Sequence, residues 1–496
     1  MKTNVGSESK LLARHSLIYG FGNLLNGIAS FLLLPVYTRF LTPHDYGIKE
    51  LVGLTTDVIG ILMATAISSA VYRFYFEYES EEDRFEVISS AILAIASIGL
   101  MGLTGLFALS KPLAAVVLDS PELSHFFMIS FCSMWFQSLN GISYDYLRAT
   151  QRSLQFIMYS FGKLILAIIL NIYFICFLKI GVLGVLLSTL ITSILMTLLL
   201  TAPLLRKTGF RISRNKIVEM VRFGLPMIIS QMGAFVVHLS DRFFIKNYCS
   251  IADAGLYSLG YRFGALPANF ISAPFNQIWM PRRFELCKQE GAERIFGRIF
   301  TYFLLVMFWA CLAVSMLTRE VLELISDPSY WSASGIVPIV ALATTIFTFH
   351  YHFNIGILIE KKTKYLAYIN SSNAVIVIAL NFLLIPTFGI YGAAVATLIA
   401  FMYKATLTYW LGSRYYSIHF EFDRITHLLL VAVALFAISF VIQFDLIIAR
   451  ITLKTMLLIC YPIILFYTSF FTNSEKEKIE SEISKLNNFC SNVIKK

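Results

Sequence analysis

Apolar runs long enough to cross a bilayer recur from one end of the 496-residue sequence to the other, and they limit what it can fold into. A transmembrane helix needs roughly 20 consecutive apolar residues, and in lipid only structures that satisfy their own backbone hydrogen bonds can span. Such runs are read at about 14–38, 47–72, 87–110, 123–147, 154–177, 181–204, 219–246, 254–279, 297–318, 333–358, 365–385, 390–411, 425–444 and 451–472. The expected fold is therefore an all-α polytopic membrane protein with about fourteen transmembrane helices. Charged residues are only 14% of the chain, against about a quarter in soluble domains. That is too few to coat a water-facing surface, and the runs leave no space for a separate soluble domain.

The net charge of +10 would point to nucleic acid in a soluble protein. Here its distribution gives a better reason. With the N-terminus placed in the cytoplasm, cytoplasmic segments collect about 28 of the 40 Lys and Arg, outer loops hold eight, and four lie inside spans. Cytoplasmic loops carry such an excess, so both termini are expected inside, with no nucleic-acid partner. The sequence lacks a short apolar h-region with a cleavage site, so the first span is expected to be retained. After the last span, Ile479, Ile483, Leu486, Phe489 and Val493 recur at helical spacing among lysines, which suggests an amphipathic cytoplasmic tail at 473–496. The seven cysteines form no CxxC pair and show no metal-ligand spacing, so no metal or cofactor is expected.

A six-span unit is used twice. Phe21-Gly22 and Phe223-Gly224 open spans one and seven. Asp45 and Gly47 enter span two, and Asp253 and Gly255 enter span eight, 208 residues later. Gly181 and Gly184 enter span six, and Gly389 and Gly392 enter span twelve at the same offset. Arg152 and Lys362 share an offset of 210, as do Asn171 and Asn381. Because six is even, the repeats keep one orientation, and transporters built this way place substrate between them. The expected organisation is an N-terminal lobe at 1–205, a C-terminal lobe at 206–412, an appended pair of helices at 413–472 and the tail.

No catalytic signature is present. Gly162-Lys163 lacks the first glycine of a phosphate loop and lies mid-membrane. Loops between spans are at most about 20 residues long. The informative side chains are ionisable ones within spans, since each costs about 2.5–3.5 kcal/mol at a helix centre and so faces a wet or protein-lined interior. Asp57, midway along span two, cannot snorkel, and with Asp241 it is an ion-coupling candidate. Arg262, Lys163, Lys404 and Arg242 are the candidates for an anionic cargo, although Asp241 and Arg242 also read as a structural pair. His350 and His352 read as structural histidines. Pro35, Pro226, Pro267 and Pro274 each remove a helix hydrogen bond and invite bending.

Phe31, Pro35, Thr38, Arg39 and Pro43, leading to Asp45, Tyr46 and Gly47, resemble the opening of the polysaccharide-transporter flippases. Arg73 and Glu77, then Leu147, Arg148 and Arg152, continue the likeness. So do Asp241 to Ile245 with Gly255 and Tyr257, Lys361 to Lys364, Asn381 to Pro386, and Gly389 to Thr397. Over about residues 11–470 the chain resembles the Wzx-type O-antigen and capsule repeat-unit flippases, within the larger group that includes lipid II flippases and multidrug and toxin extruders. The resemblance implies alternating access between two lobes, with spans one, two, seven and eight around a central cavity. It also implies an undecaprenyl-pyrophosphate-linked oligosaccharide as cargo, a proton or sodium as coupling ion, a bacterial inner-membrane location, and polysaccharide polymerase and chain-length proteins as partners. The two spans beyond twelve set it apart from many members. The alternatives are a cation antiporter of the same fold and, less well supported, a membrane glycosyltransferase or polymerase, which would need a larger outer loop.

Overall fold

The computed structural model describes residues 31–442, 444–468, 470–477 and 480–481. Most of the first expected span and the five apolar residues of the expected tail helix lie outside them. Among the described residues there is no strand.

The principal helices are α1 (Leu34–Phe40), α2 (Pro43–Glu77), α3 (Glu81–Leu118), α4 (Ser124–Ala149), α5 (Ser153–Ile172), α6 (Gly181–Met196), α7 (Arg214–Leu239) and α8 (Asp241–Tyr248). They continue as α9 (Ile251–Gly264), α10 (Ala273–Leu286), α11 (Ala292–Ile325), α12 (Val337–Phe353), α13 (Lys364–Ser413), α14 (Phe422–Val441) and α15 (Ile447–Tyr467). Ten helical stretches among the described residues are long and apolar enough to cross a membrane. The difference from the expected fourteen falls at four places. Span one is largely undescribed. α4 is long enough but diluted by Gln137, Ser138, Asn140 and Ser143. Span eight is divided into α9, a π turn at Ala268–Ser272 and α10. α13 is two helices joined at Gly389, whose backbone is not helical (φ 56°, ψ −135°).

The repeat is visible in local geometry. Thr42 caps α2, its hydroxyl accepting from Asp45 N at 3.1 Å while Asp45 Oδ2 accepts from Thr42 N at 3.1 Å. At the offset of 208, Ser250 Oγ accepts from Asp253 N at 3.0 Å and donates to Asp253 Oδ2 at 2.6 Å. Gly181 and Gly389, also 208 apart, both have left-handed φ, at 58° and 56°. Gln151 and Lys361, 210 apart, each have φ of 55°. The next residues close matching turns, Arg152 N to Leu147 O and Lys362 N to Ile357 O, each at 2.9 Å.

The chain divides into two compact units. Among the described residues, the first comprises 31–259, 325–333 and 370–396. Its core joins Ile67, Val71 and Phe74 of α2 to Val87, Ile88 and Ala91 of α3, Ile142 and Tyr146 of α4, and Met220 of α7. Lipid is as apolar as such a core, so association in a membrane relies on close packing and hydrogen bonds. Gly224 supplies the closeness, since a Cβ there would lie 1.9 Å from the Ala66 carbonyl oxygen. Lys216 of α7 pairs with Asp83 at 2.8 Å and Glu86 at 2.6 Å on α3.

The second unit comprises 260–324, 334–369 and the described residues from 397 onward. Phe300, Phe303, Leu304 and Met307 of α11 pack with Phe353, with Leu428 and Leu435 of α14, and with Leu458, Tyr461 and Leu465 of α15. Trp309 Nε1 donates to Leu458 O at 3.1 Å, and Tyr461 Oη to Leu428 O at 3.4 Å, which ties α14 and α15 into this unit. Thr344 Oγ1 donates to Gly264 O at 2.9 Å, beside the π turn that Pro267 and Pro274 flank.

Candidate functional site

Within the first unit a cavity of about 590 Å³ is walled by three helices. Helical periodicity selects its lining. α2 contributes Asp57, Gly60, Ile61 and Thr65, at spacings of three, four and eight; α4 contributes Met134, Gln137 and Ser138; α7 contributes Gln231, Phe235 and His238. Residues three and four apart share a helix face, so each helix gives the cavity one stripe. Asp57 is exposed there, midway along a helix whose apolar character otherwise suits lipid. Thr56 bonds back to Val52 O at 2.8 Å, and Ser138 to Met134 O at 2.9 Å. The lining carries one carboxylate, two carboxamides and a histidine, and no Lys or Arg among the described residues. Such a set can hold a proton or a small cation, and it can exchange hydrogen bonds with hydroxyl groups.

Of the sequence candidates, only Asp57 lines this cavity. Asp241 and Arg242, each 4% exposed, face each other with Oδ1 2.5 Å from the guanidinium. Tyr257 donates to Asp241 Oδ2 at 2.7 Å, and Arg242 donates to the His238 carbonyl at 2.6 Å. The pair therefore braces the end of α7, the helix that brings His238 to the cavity. Lys163 is half-buried on α5 in the first unit. Arg262 is half-buried on α9 and belongs to the second unit. Lys404, in the same unit on α13, is 8% exposed with Nζ 4.4 Å from the centre of the Phe347 ring. His352 is buried among aromatic rings, with Phe300 and Phe303 centroids each 4.9 Å away. Gln137, Gln231 and Ser138 carry no charge, so ionisable residues within spans do not point to them. Carboxamides within apolar spans were the available signal.

The family model described as polysaccharide biosynthesis protein matches residues 36–325. The chain belongs to that family. The Asp57 cavity is built from helices inside the matched region. Similar proteins include the succinoglycan biosynthesis transport protein ExoT of Rhizobium meliloti, 21% identical over 251 residues, covering 51% of this chain and 49% of that protein. The probable low-salt glycan biosynthesis flippase Agl15 of Haloferax volcanii is 22% identical over 227 residues, covering 45% and 46%. The chain thus spans about half the length of these two relatives. Among solved structures, the lipid II flippase MurJ in an inward closed conformation superposes with TM-score 0.68 at 14% identity, over 92% of this chain and 99% of that one. An inward-facing multidrug resistance MATE family transporter of the MOP superfamily gives 0.62 at 16%, over 79% and 94%. This polysaccharide biosynthesis family member shares the fold of these two structures, and the chain is a multi-pass membrane protein.

Proposed function

We propose that this protein is a flippase that carries a lipid-linked oligosaccharide across the bacterial inner membrane by alternating access, in the assembly of a surface polysaccharide. The observation that carries the reading is the acid-bearing cavity walled by α2, α4 and α7, in a chain of this family and fold. The working parts are a lobe at 1–205, a lobe at 206–412 and the appended helices at 413–472, with both termini cytoplasmic. The cargo is an oligosaccharide on undecaprenyl pyrophosphate, and no bond of it is broken. Its sugar hydroxyls suit Gln137, Gln231 and Asp57. Its pyrophosphate needs a fixed cation, and Arg262 is the first candidate, since guanidinium grips phosphate oxygens through parallel hydrogen bonds. Lys163 and Lys404 are secondary candidates. Asp57 takes up the coupling proton or sodium.

In cells, Arg262→Ala should abolish export of finished polysaccharide, Arg262→Lys should restore part of it, and lipid-linked intermediate should build up on the cytoplasmic leaflet at normal protein abundance. Normal export by Arg262→Ala would move the anion site elsewhere.

A second reading, a cation antiporter, is favoured by one observation: the cavity lining carries a carboxylate and no Lys or Arg among the described residues. Deleting the gene separates the two. Loss of surface polysaccharide supports the flippase, whereas unchanged polysaccharide with new sensitivity to lipophilic cations supports the antiporter.

A further inference from the structure

A second cavity of about 590 Å³ lies in the second unit, at the end of α11 where α14 turns into α15. Its charged lining is Arg319 and Glu320 of α11 with Arg450 and Lys454 of α15. Lys454 pairs with Glu320 at 2.5 Å, and Arg319 with Glu323 at 2.7 Å. Arg450 holds both oxygens of Glu323 and lies 3.9 Å from Glu320. The acids are turned inward: the Glu320 side chain is 1% exposed and that of Glu323 11%, whereas that of Arg319 is 41% exposed. Asp445, in the exposed turn between α14 and α15, is a further and weaker negative influence on Arg450. The surface offered to the cavity is thus cationic, resting on buried carboxylates that hold the cations in place.

Two further walls suit the same ligand. Ser334 and Gly335 line the cavity from the 3-10 helix Pro328–Ile336, which runs directly into α12. Ser315 and Ser439 add hydroxyls. Opposite them the lining is apolar, and it continues onto Phe440, Ile442 and Phe444, which are 70%, 42% and 47% exposed. In a membrane protein such a surface at a helix end faces acyl chains. A free inorganic anion has no use for that wall; an anion carried on a hydrocarbon tail does.

We propose that this cleft seats the phosphate of an anionic membrane lipid. On the orientation given by the loop charges, it lies in the outer leaflet. The headgroup phosphate meets Arg319, Arg450 and Lys454, and the chains leave along Phe440 and Phe444. The lipid then ties α14 and α15 to α11, independently of what the Asp57 cavity carries.

The purified full-length protein, stripped of lipid in neutral detergent, tests this by thermal unfolding against added phosphatidylglycerol, a polyprenyl monophosphate, phosphatidylcholine or inorganic phosphate. Wild type should be protected by one or both anionic lipids, and the stronger protector names the lipid; phosphatidylcholine and inorganic phosphate should do little. Arg319→Gln should weaken the protection about tenfold in lipid concentration, the loss of one charge-assisted contact, while Arg319→Lys keeps most of it. Equal protection by phosphatidylcholine, equal protection by inorganic phosphate, or no protection by any lipid would each overturn the proposal using wild type alone. Undiminished protection of Arg319→Gln would overturn it as well.

Discussion

Gly47 and Gly255, the repeat-related glycines, pack against each other's helices. A Cβ at Gly47 would lie 1.9 Å from Ile251 O, and one at Gly255 would lie 2.3 Å from Pro43 O and 2.8 Å from Gly47 N. Each contact is with backbone, which cannot rotate away. Gly255→Ala should therefore destabilise the protein by about 1–3 kcal/mol, the usual range for overpacking. The check is a lower unfolding temperature in detergent, and an unchanged one would mean that the helices separate at no cost. The sequence reveals these glycines as a repeated pattern but not as a contact, because spacing along the chain says nothing about which backbones meet. Asp57 was legible for a different reason: a carboxylate in a span is expensive, so it announces a polar surrounding. Its cavity neighbours Gln137 and Gln231 carry no charge and pass as ordinary span residues. Asp241 and Arg242 gave the same signal as Asp57, but adjacent opposite charges can satisfy each other, and here they do.

At the scale of elements, the chain after α15 returns to the first turn of α14. Glu475 Oε2 lies 3.0 Å from Arg424 and accepts from Thr472 N at 2.9 Å. Burial pushes the Glu475 carboxyl up, but the Tyr302 hydroxyl, Thr472 and Arg424 outweigh it and hold the pKa at about 2, below the ordinary 4.5. A depressed carboxyl stabilises the folded state above its unfolded pKa and loses that contribution as pH falls through the folded one. Docking of residues 470–477 should therefore weaken between about pH 4.5 and 2, read as faster proteolysis of the C-terminus. Glu475→Gln should be weakly docked throughout and show no such step; an acid step that survives in Glu475→Gln would assign it to another group. Apolar run length places α4 to within two residues, whereas α3 and α11 extend five to eight residues beyond their runs at each end. The break between spans eleven and twelve falls at Gly389, between the two apolar runs, whereas span eight departs from its run. There Pro267 and Pro274 flank a π turn rather than a plain kink.

For the molecule as a whole, the loop-charge bias predicts which segments face the cytoplasm. Single cysteines near Arg211 and Lys288 should resist impermeant thiol reagents in intact cells, and one near Asp327 should react. Labelling of the first two would invert the topology. The all-α membrane fold was legible because hydrocarbon imposes one period and one length on every span. Cargo was not, because it is read by a few side chains brought together from helices far apart in sequence. The central claim is that the protein moves a lipid-linked sugar between leaflets, and reconstitution tests it most directly. Proteoliposomes would carry a fluorescent lipid-linked oligosaccharide in both leaflets, with an impermeant glycosidase outside. Wild type should expose nearly all of the lipid to cleavage, and Asp57→Asn should still fold and insert but lose any dependence of the rate on an imposed proton or sodium gradient. Cleavage that stops at the outer half of the lipid in wild-type vesicles, as in protein-free ones, would contradict the account.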